Sequence, residues 1–120
     1  MRLIAELERA LAAEQSLFRA QLLREDLARL ARLPALAASA ADAAAFRQAG
    51  AKVGWTQGDA RTHELREPLE LFLDEVYAWE RGERTRERDA AIADAWERLH
   101  RVRMERLLGC LSTPVPRPDD

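Results

Sequence analysis

The chain has 120 residues, with 19 Lys+Arg against 21 Asp+Glu and a formal net charge of −2. Alanine occurs 23 times and leucine 18 times, whereas Ile, Val and Thr together supply ten residues; so few β-branched side chains argue against a β or α/β fold. The charge balance gives no global attraction to nucleic acid or an anionic membrane, the lone Cys110 rules out an intrachain disulfide framework, and no apolar run reaches the roughly 18 residues of a membrane span.

Residues 2–33 contain no Gly or Pro and are rich in Leu, Ala, Glu and Arg, which predicts one long helix. At about 100° per residue, Leu3, Ile4, Leu7, Leu11, Phe18 and Leu22 share a face. Leu23, Leu27, Leu30 and Leu33 rotate away from it, so the helix either bends near residue 22 or meets two neighbours. Pro34 is expected to stop it. A short Ala-rich helix follows over about 40–49, or from as early as Pro34, with Ser39 and Asp42 resembling a capping box and Gly50 as the stop.

Gly50, Gly54 and Gly58 punctuate a loop that carries Trp55. A third helix is expected from Asp59 to Arg81, with Leu65, Leu69, Phe72, Val76 and Trp79 in one stripe and Gly82 as terminator. Pro68 either kinks this helix or marks its first turn. Thr85 is placed to cap a fourth helix over 86–111, whose stripe is Ile92, Trp96, Leu99 and Leu107. Pro114, Pro116 and Pro118 make 112–120 an extended tail. The fold class is all-α: a three- to four-helix bundle with a long N-terminal helix and a C-terminal antiparallel helical hairpin, 1–111 forming one helical domain.

A 32-residue first helix would be about 48 Å long, against a diameter of roughly 35 Å for a compact globule of this size. Either the bundle is elongated or the overhang packs on a second copy, and the homodimer is the favoured reading. Glu6 and Glu8 stand where a signal peptide needs apolar residues, so a cytoplasmic location is expected. The Ala and Arg bias suggests a GC-rich bacterial genome.

The acids Glu64, Glu67, Glu70 and Asp74 recur at helical spacing, yet Glu67, Glu70 and Asp74 lie opposite the Leu65–Trp79 stripe, as a solvated face does. The helical nucleotide pyrophosphohydrolases carry paired Glu-x-x-Glu and Glu-x-x-Asp motifs, and Glu-x-x-Asp is missing from this chain. Glu97 and His100 have the spacing of a carboxylate–histidine metal pair, but a second copy is lacking. No cofactor is expected. Residues 59–80 carry seven acids against two Arg, and 81–106 eight Arg against six acids. The two helices are therefore expected to complement each other or to steer a protein partner, and nucleic-acid binding is disfavoured.

Four polar residues fall on faces that should be apolar: Glu14, Gln21 and Glu25 on the first helix and Arg103 on the last. An antiparallel alignment of these helices makes Glu14 the partner of Arg103, since a buried Arg left alone is costly. The second stripe, Leu23, Leu27 and Leu30, is the expected partner-binding surface, with Trp55 as a further anchor. The function expected is that of a non-enzymatic adaptor, regulator or export-type chaperone acting through protein contacts. The alternatives are a metal-dependent helical enzyme or a nucleic-acid-associated regulator.

Overall fold

The computed structural model describes residues 1–55 and 63–111. They form five helices in the order α1 (Arg2–Ala13), α2 (Leu17–Ser39), α3 (Ala43–Ala51), α4 (His63–Glu80) and α5 (Arg86–Leu111). The described residues include no strand, and the fold is all-helical. None of these helices is long and apolar enough to cross a membrane.

The single helix expected over 2–33 is broken at Glu14–Ser16. Helix-forming composition does not decide this point, because local side chains satisfy the freed backbone groups. Ser16 Oγ accepts from the Arg19 N–H at 3.3 Å, and Glu14 Oε1 accepts from the Ser16 N–H at 3.1 Å. The rotated leucine stripe is thus a second helix with its own neighbours. Pro34 does not stop that helix, which runs on to Ser39. The proline ring lies on the exposed side, while Leu30, Leu33 and Ala37 are buried on the other, and their packing outweighs the local penalty.

The short helix begins later than expected. Asp42 caps it, accepting from the Ala45 N–H at 2.8 Å, whereas the Ser39 hydroxyl donates to the carbonyls of Ala35 and Leu36 at the end of α2. Gly50 has a packing role. A Cβ there would stand 2.8 Å from Leu73 Cδ2, so its bareness lets α3 close onto α4.

Helix α4 buries the expected Leu65, Leu69, Phe72 and Val76, together with Leu73. Pro68 sits inside the helix, and residues 59–62 of the expected helix lie outside the described residues. The C-terminus of α4 is a Schellman cap: the Gly82 N–H reaches Trp79 O and the Glu83 N–H reaches Ala78 O, with Gly82 at φ +108°. Thr85 Oγ1 then accepts from the Arg88 N–H at 3.0 Å, the expected cap of α5.

Helices α4 and α5 form an antiparallel hairpin, and their charges meet as expected. Arg88 pairs with Glu75 at 2.5 Å, Arg98 with Glu67 at 3.4 Å and Arg106 with Glu64 at 3.8 Å. The Arg98–Glu67 and Arg106–Glu64 pairs are solvent-exposed and set orientation more than stability, whereas Arg88–Glu75 is half-buried. Helix α1 runs in the same direction as α5: the Arg2 N–H donates to Asp89 Oδ1 near the start of α5, and Glu14 shares a cavity wall with Met104. The antiparallel alignment expected of the first and last helices is therefore reversed for α1. The molecule measures 58 × 33 × 22 Å. With the first helix broken, no single 48 Å rod overhangs it, and that ground for a homodimer falls away.

Candidate functional site

Among the described residues, Asp26 is the one charged side chain of the buried core, 2% exposed among apolar neighbours. It lies between Leu23 and Leu30 on the inner stripe of α2, spaced by three and four residues. Its carboxylate accepts four hydrogen bonds: two from Arg103, at 2.9 and 2.6 Å, one from Arg29 at 2.9 Å, and one from the Trp96 indole at 2.9 Å. Burial alone pushes the Asp26 carboxyl up. The hydrogen bonds and charge of Arg103, the Trp96 N–H and the charge of Arg29 outweigh burial and hold it below the usual carboxylate range.

The arginines are themselves packed against an aromatic surface. The guanidinium of Arg103 lies 5.6 Å and that of Arg29 5.8 Å from the Trp55 ring centroid. Trp55 is 1% exposed and meets Phe72 edge-on at 5.3 Å. On the far side, Trp96 stacks on His100 at 4.5 Å. Arg103 Nη2 stands 3.5 Å from His100 Nδ1, an approach that suits a neutral ring. Burial and the neighbouring Arg103 push the His100 pKa down, and the Asp26 charge only partly opposes them.

Both shifts make the fold acid-sensitive, with the same sign. His100 is depressed in the fold, so below about pH 6.5 the unfolded chain takes up this proton first and stability falls. Asp26 is depressed too, so its contribution is complete above about pH 4 and is lost as pH drops through its folded value. The charges around the ring are Arg103 and Asp26, with Glu6, Glu14 and Arg19 on the facing cavity wall. A Tm-against-pH profile by circular dichroism should fall in two stages, and His100→Gln should flatten the first stage while sparing the second.

Outside this cluster, α1, the start of α2 and α5 enclose a cleft of about 330 Å³. Leu3, Leu7, Ala10, Leu22, Leu23, Trp96 and Met104 make its apolar walls, and Glu6, Glu14, Arg19 and His100 supply its polar groups. Trp96 and His100 belong to both places, so the floor of the cleft is the outer face of the buried cluster. Phe18 is one turn before Leu22 on the same side of α2. It is 49% exposed, and the adjacent Leu17 is 85% exposed.

The structure rearranges the expected site residues. Arg103 does face inward and does take an acidic partner, but the partner is Asp26 and not Glu14. Glu14 stands at the α1–α2 break, where it accepts from the Ser16 N–H and lines the cleft between α1, α2 and α5. Gln21 is exposed and donates to Glu25 at 3.3 Å, and Glu25 pairs with Arg29 at 3.6 Å. Leu23 and Leu30 are buried and Leu27 is packed against the core, so the expected binding stripe is filled by the chain itself. Trp55, expected as an exposed anchor, is likewise inside. Phe18, expected in the core, is outside.

Glu97 is exposed and pairs with Arg101 at 3.5 Å, so it does not converge with the inward His100. The described residues hold no group of three or more His, Cys, Asp or Glu placed to bind a metal ion. Glu67, Glu70 and Asp74 pair with Arg98, Arg66 and Arg47 on the surface. The residues after Trp55 in the glycine loop, the Cys110 side chain and the proline tail lie outside the described residues.

What the fold and site define is a class of architecture: an all-helical protein with a buried ionic cluster beneath an apolar cleft. No protein-family model, curated protein or solved structure matches the chain.

Proposed function

We propose that the protein is a non-enzymatic binding module, an adaptor, regulator or chaperone, that works by taking apolar side chains of protein partners into the α1–α2–α5 cleft. The observation that carries this reading is the exposed Phe18, one helical turn before Leu22, which lines a cleft with predominantly apolar walls. Large apolar side chains beside a concavity form an interaction surface. Asp26 supports the reading from the other side. Its oxygens are engaged by four donors, an arrangement that holds helices together and leaves the carboxylate poorly placed to accept a substrate proton. This reading sets the binding surface at the first turn of α2 and not on the leucine stripe, which packs within the chain itself.

A photo-crosslinking residue placed at Phe18 in the native cell tests this. The expected result is a polypeptide adduct to the 13.6 kDa chain that is absent when the same residue replaces exposed Gln48 on α3. Equal labelling at the two positions, or no adduct at Phe18, overturns the reading.

A further inference from the structure

The docking surface has a property that narrows its partner, and the inference rests on the reading of the cleft given above: we propose that its occupant is Phe18 of a second copy of this chain, in a twofold-symmetric dimer. A twofold interface uses the same patch on both subunits, so the patch must complement itself. This one carries a projecting apolar group, Phe18, and an apolar recess beside it, the cleft bordered by Leu22 and Ala10. Turning one copy about an axis near Phe18 places each ring over the other's recess.

The rim charges fit the same arrangement. Glu6 is already paired with Arg2 at 2.5 Å. Glu14 and Arg19 remain, one of each sign, and neither has an ion-pair partner among the described residues. An anionic or a cationic ligand would meet one like charge on this rim. A second copy meets both with opposite charges, Arg19 of each protomer facing Glu14 of the other.

Sedimentation velocity across the micromolar range tests the dimer. The full chain should reach twice its monomer mass, and Phe18→Glu should remain monomeric. Ala10→Trp, which fills the recess without touching the projecting ring, should do the same. Arg19→Glu and Glu14→Arg should each weaken the dimer on the order of a hundredfold, because each brings like charges together. Mixing these two charge variants in equal amounts should restore a dimer containing one of each. A pairing inside one protomer cannot produce that restoration. Circular dichroism spectra matching the wild type qualify each variant.

A wild-type chain that stays monomeric, or a mixture that behaves as two monomers, overturns the dimer. So does a dimer indifferent to both Phe18→Glu and Ala10→Trp. A monomer whose residue 18 still crosslinks a different polypeptide overturns the dimer and leaves the docking surface standing, so the two readings fail separately.

Discussion

Replacing Asp26 by Asn is expected to destabilise the protein by about 3–5 kcal/mol, the cost of removing one partner from a buried ion pair. The substitution keeps the side-chain shape and removes the charge that two guanidinium groups share. Arg103 and Arg29 have side chains only 12% and 13% exposed, so water cannot replace the carboxylate in place. The amide also turns one acceptor into a donor facing donors. Thermal unfolding should show Tm lowered by at least 10 °C or thereabouts, at a few degrees per kcal/mol for a chain of this size. The double variant Asp26→Leu with Arg103→Met should recover much of the loss, because an apolar pair of similar volume is often as stable as a buried ion pair. A Tm change in Asp26→Asn of only about 2 °C, the scale of an exposed pair, would mean that the carboxylate is not sealed from solvent.

The same cluster marks how far residues alone can lead. A charged residue at an apolar position of α5 demands a partner, and Arg103 was legible for that reason. Asp26 carries an equally plain signal, since it sits in step with Leu23, Leu30, Leu33 and Ala37 on one stripe. In a single rod over residues 2–33 that signal competes with Glu14, Gln21 and Glu25 on the other stripe. An unbroken helix keeps its phase, puts Glu14 on the inner face and selects it by axial level. Ser16 resets that phase, and nothing in composition separates a serine that caps from one that rides on a helix surface. The stripes of α4 and α5, which flank the Gly82 stop and the Thr85 cap, were legible in their middle turns: Leu65, Leu69, Phe72, Val76, Ile92 and Leu99 are buried, whereas Leu73 was missed and Trp79, Trp96 and Leu107 are only half-buried. The cleft was not, because it exists only where α1 lies parallel to α5, and periodicity within a helix carries no information about its direction relative to another.

Trp55 is buried against the ionic cluster, and its removal should be the second large effect. As a docking anchor, Trp55→Ala would weaken partner binding and leave Tm unchanged. Buried, the ring fills space against Phe72 and covers two guanidinium groups at 5.6 and 5.8 Å. Truncation then leaves a cavity that its neighbours fill only in part, costing about 3–5 kcal/mol, and strips the aromatic face from both arginines. Trp55→Phe should lose markedly less, because the indole N–H has no hydrogen-bond partner among the described residues and most of the apolar volume remains. Trp55→Ala and Asp26→Asn act on the same two arginines, so their losses should not add. Once Asp26 is gone and Arg103 has swung toward water, removing the ring above it costs less than in the wild type. Chemical denaturation of the two single variants and the double variant measures this directly. Strict additivity would show that Trp55 only fills space and that the ionic cluster ends at the carboxylate.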